Sequence, residues 1–182
     1  MTPITEYRDD EVITAVKTWI DKVIIGLNFC PFAKKEIERN TVRYAIYPTS
    51  QANDALSHLL DELTLLDKQP DIQTSLLIFP AGFCDFERYL DMLEMANLLL
   101  AQGGYSGIYQ LASFHPNYCF EGEDSTDPAN YTNRSPYPIL HILRESSIDA
   151  VLKRYPDPHK IPENNIAKAR ELGSSVLQAL VK

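Results

Sequence analysis

The chain has 182 residues, and 25 acidic side chains against 17 basic ones give a formal net charge of -8. This balance argues against a general nucleic-acid binder, because neutralising phosphates requires clustered Lys and Arg. With 45% hydrophobic and 23% charged residues, the composition is that of a globular domain rather than of a disordered or fibrous chain. We therefore predict one globular domain over 1–182.

The first half of the chain predicts two helices and two strands. Apolar residues recur at helical spacing between Asp9 and Gly26 and predict the first helix. The β-branched and aromatic stretch 42–47 predicts a strand, and Thr49 or Ser50 is expected to cap the helix that follows. The apolar run 74–79 has no alternation, which is typical of a central strand covered on both faces.

The second half continues this alternation. Asp85 is expected to cap a third helix over 86–101, and strands are predicted at 108–113 and 139–143. Ser146 or Ser147 opens a short helix to Tyr155, and Pro162 opens a final helical segment. The positions of this last segment expected to face inward are Ile166, Ala169, Val176, Leu177 and Leu180.

The element order α-βαβαβ-loop-β-αα predicts an α/β domain, with α+β as the alternative. We expect a four-stranded, mostly parallel or mixed sheet flanked by helices. The connection 114–137 is longer than is usual in a compact domain, but it carries enough aromatic residues to be ordered. The direction of the fourth strand is left open. An antiparallel strand would bring Arg134 towards His115, whereas a parallel one would bring Arg144 and Glu145 there.

The strand ends are the expected location of a site, because open sheets of this kind bind ligands beyond the carboxyl ends of their strands. Cys84 follows the second strand and His115 follows the third, so both should lie at one edge of the sheet. His115 is the candidate acid/base. Cys84 is a candidate wall or thiolate near a helix N-terminus, although burial as a small side chain is the simpler interpretation.

Other segments supply further candidates. Cys30 precedes Pro31, and it is a candidate nucleophile or a buried side chain. Arg134 and Arg144 are candidate clamps for a carboxylate or phosphate, with Asn133 beside the first. Glu145 is a candidate catalytic carboxylate that could instead pair with a cation. His141 alternates with Leu140 and Ile142, so it faces the opposite side of the sheet, where an ordinary interface histidine is expected.

A metal site is the competing interpretation of the thiols. His115 and Cys119 are suitable ligand types for zinc or copper, with Cys30 as a third. Two ligands do not make a site, however, and Pro116 lies between them, so helical convergence is not expected. No metal and no cofactor are therefore predicted.

Three segments together resemble a known family. They are Gly26-Leu27-Asn28-Phe29-Cys30-Pro31-Phe32-Ala33, Phe114-His115-Pro116-Asn117-Tyr118-Cys119-Phe120 and Asn133-Arg134-Ser135-Pro136-Tyr137-Pro138, the last running on to His141 and Arg144-Glu145. The chain is similar to the bacterial family known as domain of unknown function 1415 over nearly its whole length. The resemblance implies a bacterial cytoplasmic protein and no particular reaction.

The compartment inferred from the residues agrees with that implication. Three widely spaced cysteines do not form a disulfide framework, and the first fifteen residues contain no apolar signal segment. No apolar run reaches the roughly 18 residues of a membrane span. We expect a cytoplasmic protein without membrane or nucleic-acid partners, and the oligomeric state is left open.

The leading functional hypothesis is a small-molecule enzyme or binding domain with a His/Arg/Cys pocket for an anionic metabolite. In this hypothesis His115, Cys30 or Glu145 performs the chemistry, and Arg134 or Arg144 holds the anion. The first alternative is a thiol- or metal-binding module that uses Cys30, His115 and Cys119. The second is a non-catalytic domain whose aromatic loop binds a protein partner.

Overall fold

The computed structural model describes residues 7–153, 157–158 and 160–181. Helices and strands alternate through most of this part of the chain, as the hydrophobic pattern predicts. In chain order the elements are α1 (Asp9–Trp19), a π-helix (Ile20–Ile25), α2 (Ala33–Glu38), β1 (Val42–Ile46), α3 (Ala52–Lys68), β2 (Thr74–Ile78), α4 (Phe86–Gln102), β3 (Tyr109–Phe114), a 3₁₀ helix (Pro128–Thr132), β4 (Ile139–Arg144), α5 (Glu145–Leu152), α6 (Lys160–Leu172) and α7 (Ser174–Val181).

The four strands form one mixed sheet in the order β1-β2-β4-β3. β1 and β2 are parallel, while β4 lies between β2 and β3 and is antiparallel to both. The predicted α/β fold with a four-stranded mixed sheet flanked by helices is confirmed. Ile139 is opposite Phe114 and Arg144 is opposite Tyr109, so Arg144 lies at the far end of β3 from His115.

Alternation along the strands gives the sheet two different faces. Leu77, Leu140 and Ile142 are fully buried on the face covered by α3 and α4. Leu76 and Ile139 point to the other face, which packs against α1, the π-helix and the C-terminal helices. We call these the α3/α4 face and the α1/α6 face.

Helix starts follow the predicted chemistry in one case and depart from it in another. The Asp85 carboxylate accepts a hydrogen bond from the backbone N–H of Arg88 at 2.9 Å, which confirms the cap of α4. The N-cap of α3 is Gln51, and its side chain makes no capping bond. Thr49 is not the cap, because its hydroxyl accepts the Gln51 N–H at 3.1 Å in the turn before the helix.

The C-terminal helical segment is divided in two. Gly173 adopts a φ of 78° between α6 and α7, a conformation that glycine accepts at little cost. The break changes the helical phase, so the expected inward position of Val176 is wrong: that side chain is 48% exposed, while Leu177 is fully buried. The shorter helix α5 begins at Glu145, one residue before the predicted start, and the predicted end at Tyr155 lies outside the described residues.

The long connection 114–137 is ordered, as its aromatic content predicts. Asn130 is fully buried within it, donating to the Asp124 carbonyl at 2.9 Å and accepting from the Phe120 N–H at 3.0 Å. Arg170 of α6 pairs with Asp127 at 2.9 Å and with Glu123 at 3.2 Å. The loop is therefore attached to the α1/α6 side of the molecule.

Among the described residues, no helix combines the length and the apolar character required to cross a bilayer.

Candidate functional site

A cavity of about 500 Å³ opens on the α1/α6 face of the sheet. Its floor is formed by strand residues that include Thr74, Leu76, Ala112, Phe114 and His141. Most of its walls are apolar side chains of the surrounding helices and loops, among them Trp19, Ile20, Ile24, Phe29, Phe32, Ile37, Phe120, Ile148 and Ile166. Apolar cavities of this size with a few polar groups are typical small-molecule sites.

Local structure explains why this face is not filled. The small side chain of Ala112 lies opposite His141 in the sheet, so the middle of the floor carries little volume. The π-helix directly above supplies Ile20 and Ile24 to the wall, and widened turns of this kind occur frequently at functional sites. Asn165 of α6 donates to the Phe29 carbonyl at 2.7 Å and ties the two walls together.

His141 is the best-defined polar group of the floor. Its Nε2 lies 2.5 Å from the Thr74 hydroxyl, and that hydroxyl lies 2.6 Å from the Ile142 carbonyl oxygen. A carbonyl only accepts, so the single hydroxyl proton of Thr74 is donated to Ile142. Nε2 must then donate to Thr74, and the neutral imidazole carries its proton there.

The second ring nitrogen of His141 is left as an acceptor. Nδ1 has no hydrogen-bond partner among the described residues, and it is not one of their buried partnerless atoms. It is therefore accessible from the cavity. Desolvation by burial lowers the pKa of His141 to about 4, so the imidazole is neutral near neutral pH.

Trp19 borders the same cavity and carries a buried donor without a partner. The side chain is 2% exposed, and its ring packs edge-on against Phe114 with a centroid distance of 5.1 Å. Among the described residues, its Nε1 is the one buried side-chain nitrogen or oxygen without a hydrogen-bond partner. A buried N–H in this state costs about 1–3 kcal/mol.

Cys30 and Glu36 border the cavity near α2. Burial raises the pKa of the Cys30 thiol more than hydrogen bonds to the backbone of Phe32 and Ala33 lower it, so the thiol form is favoured. The Glu36 carboxylate accepts a hydrogen bond from the Thr41 hydroxyl at 2.6 Å. The cavity thus contains the predicted cysteine, in its less nucleophilic state, together with a carboxylate.

Asn133 and Arg144 also contribute to the lining, but their polar groups are engaged elsewhere. Asn133 donates to the Ser113 carbonyl at 3.0 Å. The Arg144 guanidinium donates to the Leu66 carbonyl at 2.5 Å, to the Ile72 carbonyl at 3.1 Å and to the Tyr109 hydroxyl at 3.0 Å. Arg144 therefore satisfies carbonyls at the end of α3, a structural task at helix C-termini.

His115 lies outside the cavity and is completely buried. Its Nε2 donates to the Phe83 carbonyl at 2.8 Å, and its Nδ1 accepts the Asn117 N–H at 3.0 Å. The contact with Phe83 shows that the loops after β2 and β3 meet, as expected of parallel strands. Desolvation lowers the pKa of His115 against opposing influences from Phe83 and Asp85, and both ring nitrogens are occupied.

The remaining candidates are dispersed. Arg134 donates to the carbonyls of Tyr118 at 3.1 Å and Ser125 at 2.8 Å, and it lies 4.5 Å from the Tyr131 ring centroid. Cys84 is exposed next to the Asp85 cap. Glu145 opens α5, where its backbone N–H donates to the Ile108 carbonyl at 3.0 Å. These three side chains do not border the cavity, so the predicted His/Arg/Cys set is not brought together in it.

Metal-ligating side chains are also dispersed. Within 7–153, 157–158 and 160–181, no group of three or more His, Cys, Asp or Glu side chains is positioned to hold a metal ion. Cys30, His115 and Cys119 therefore do not form the suggested site. The Cys119 thiol instead lies near the backbone carbonyls of Phe120 and Glu123, at 3.7 and 3.5 Å.

Sequence reasoning missed the two residues that define the cavity chemically. Trp19 matched the apolar face of a helix, and His141 was interpreted as an interface side chain. The available signal was the alternation of β4, which separates His141 from Leu140 and Ile142. This alternation predicts on which face of the sheet His141 lies, but it does not predict a cavity in front of that face.

No curated protein and no solved structure gives a significant match. The model of the family described as a protein of unknown function (DUF1415) matches residues 11–179, which include every strand and the residues that line the cavity. The resemblance inferred from the three segments is thus confirmed, and the chain belongs to the family DUF1415.

Proposed function

We propose that this protein binds a small, largely apolar organic molecule in the cavity on the α1/α6 face. The observation that carries the proposal is a cavity of about 500 Å³ whose walls are mostly apolar side chains, among them Trp19. Burial of apolar ligand surface provides the driving force, and the few polar groups orient the ligand.

The proposed ligand differs from the anionic metabolite that the sequence-based hypothesis predicts. Arg134 and Arg144 were the expected anion clamps, but both guanidinium groups donate to backbone carbonyls. The carboxylate of Glu36 borders the cavity instead. These contacts favour a ligand held by apolar burial over an anion held by arginine. Catalytic roles for His115, Cys30 and Glu145 stay predictions that the proposal does not require.

The proposal predicts saturable binding of 1-aminoanthracene, a neutral fluorescent probe of apolar cavities. Trp19 is the single tryptophan of the chain and borders the cavity, so energy transfer from it should excite a probe bound there. Ala112→Phe adds a ring to the floor and should weaken binding at least about tenfold, because about 1.4 kcal/mol of lost contact has that effect. Fluorescence titration measures both quantities.

Ala101→Phe is the matched control, since it makes the same substitution at an exposed position of α4. It should bind the probe as the parent does. If the floor variant fails to fold, as judged by circular dichroism, Ala33→Phe in the wall replaces it. Equal probe affinities of the parent, of the cavity variant (Ala112→Phe or Ala33→Phe) and of Ala101→Phe would contradict binding in this cavity. The absence of saturable energy transfer in the parent would also contradict it.

A further inference from the structure

We propose that the ligand of this cavity is an uncharged aromatic molecule with an O–H or N–H group that donates a hydrogen bond to Nδ1 of His141. This inference rests on the proposed function and makes it specific. It follows from two features of the cavity: an acceptor of fixed tautomer and walls rich in aromatic rings.

The hydrogen bonds of Thr74 to His141 and Ile142 fix Nδ1 of His141 as an acceptor. Ile142 offers only a carbonyl oxygen, so Thr74 must donate to it and accept from His141 Nε2. A neutral imidazole with its proton on Nε2 presents only a lone pair at Nδ1. That atom has no partner among the described residues and is accessible from the cavity. The complementary ligand group is therefore a donor.

Aromatic rings surround this acceptor. Trp19 and His141 both pack on Phe114, with ring centroids 5.1 and 6.2 Å from that of Phe114. The surrounding rings of Phe29, Phe32 and Phe120 favour an aromatic skeleton, because ring pairs add to the free energy of apolar burial.

Charge argues against an anionic ligand at this position. A carboxylate has no proton to donate to Nδ1, and its charge would lose hydration in an apolar cavity. On the wall, the Glu36 carboxylate pairs with Lys35 at 3.7 Å, so that lysine is not an unpaired cation for the ligand. The two arginines that would offset these effects are bound to backbone carbonyls.

A series of probes on one skeleton tests the inference by calorimetry near neutral pH. The probes are 2-naphthol, naphthalene, 2-naphthoate and 2-naphthylmethylammonium, which differ in the polar group alone. We expect 2-naphthol to bind the parent protein about tenfold more tightly than naphthalene, the value of one added hydrogen bond in a buried site. The carboxylate should bind more weakly than naphthalene.

The variant His141→Leu removes the acceptor and keeps an apolar floor. It should reduce the affinity for 2-naphthol to that for naphthalene and leave naphthalene binding unchanged. His58→Leu is the matched control, because this half-buried imidazole lies on α3 against Tyr47, outside the cavity. It should retain the full preference for 2-naphthol. If His141→Leu does not fold, the Nδ1 nitrogen-15 resonance of the parent serves instead, and it should respond to 2-naphthol but not to naphthalene.

The outcomes separate the two proposals. If no probe binds, the proposed function fails and the inference fails with it. If naphthalene binds and 2-naphthol is no tighter, the cavity is a binding site but the hydrogen-bonding inference is wrong. Tightest binding of 2-naphthoate or of the ammonium probe would overturn the uncharged ligand. A preference for 2-naphthol that persists in His141→Leu, or an Nδ1 resonance that ignores this probe, would overturn the role of His141.

Discussion

The two faces of the sheet are built from the same four strands but are covered very differently. On the α3/α4 face, Leu77, Leu140 and Ile142 are fully buried against two long helices. On the α1/α6 face, the same strands form the floor of a cavity of about 500 Å³. Close packing on one face allows the other to keep an unfilled volume, which generally costs stability.

Polar groups follow the same division. On the α3/α4 face, Glu62 is buried, and its carboxylate receives hydrogen bonds from Arg43 at 2.9 and 3.0 Å, Tyr47 at 2.7 Å and Ser75 at 2.5 Å. On the α1/α6 face, Trp19 Nε1 and His141 Nδ1 have no partner among the described residues. The satisfied network is structural, whereas the accessible Nδ1 of His141 is available to a ligand.

The largest expected effect on stability comes from breaking the hydrogen-bond network around Glu62 on the α3/α4 face. The Arg43 side chain is 37% exposed, while that of Glu62 is 2% exposed. Arg43→Met leaves a buried carboxylate without its cation and should lower the free energy of unfolding by about 3–5 kcal/mol. Glu62→Gln leaves the arginine able to hydrate and should cost less, about 1–3 kcal/mol. Urea unfolding near neutral pH measures both values.

Lowering the pH tests this difference between the stability losses of Arg43→Met and Glu62→Gln. Burial raises the pKa of Glu62, but hydrogen bonds from Arg43, Ser75 and Tyr47 together with the charge of Arg43 outweigh it, so the pKa lies below its usual value. Without Arg43, burial should dominate and raise the pKa. The deficit of Arg43→Met relative to the parent should then shrink as the pH falls. An equal or larger cost for Glu62→Gln would show that the carboxylate is not the buried partner.

Two neighbouring leucines of β2 provide the next test of the comparison. Leu77 is fully buried on the α3/α4 face, and Leu76 borders the cavity on the other. Leu77→Ala should cost about 3 kcal/mol, because it removes contacts and creates a void in a packed core. Leu76→Ala enlarges a space that already exists and should cost about 1–2 kcal/mol less. Equal losses in denaturant unfolding would mean that both faces are packed alike.

The sequence predicted the elements and the faces because both follow from local periodicity. The unbroken apolar run of β2 and the alternation of β4 correctly predicted a central strand and the side on which His141 lies. The direction of β4 stayed open, since nothing in 139–143 distinguishes pairing with β2 and β3 in either sense. That direction separates Arg144 from His115.

The cavity could not be predicted for a different reason. Its volume depends on how far the helices stand from Ala112, which is a property of the tertiary path and not of any local pattern. The π-helical register of Ile20–Ile25 also carries no clear sequence signal, because the residues repeat the apolar spacing of α1. His115 attracted attention by its loop position, and the structure supplies hydrogen bonds for both of its ring nitrogens.

The smallest expected effect is a pH dependence of stability that comes from His141 on the α1/α6 face. The pKa of His141 is about 4 in the folded protein, against the ordinary value of 6.5, because burial disfavours the imidazolium. Between these values the unfolded chain binds the extra proton, so stability is fully present above about pH 6.5 and declines as the pH falls towards 4. From about pH 7 to about pH 5, linkage gives a loss of about 1–2 kcal/mol.

His141→Gln removes this titration, and its unfolding free energy should fall less steeply over the same interval. His115, whose pKa is also lowered by burial, is present in both proteins and cancels in the difference between them. The pKa of Glu62 is lowered, so this group ionises below the interval, and its contribution also cancels in the difference. Parallel stability curves for the parent and His141→Gln would mean that the imidazole is hydrated in the cavity, and that the open face is wetter than its apolar lining indicates.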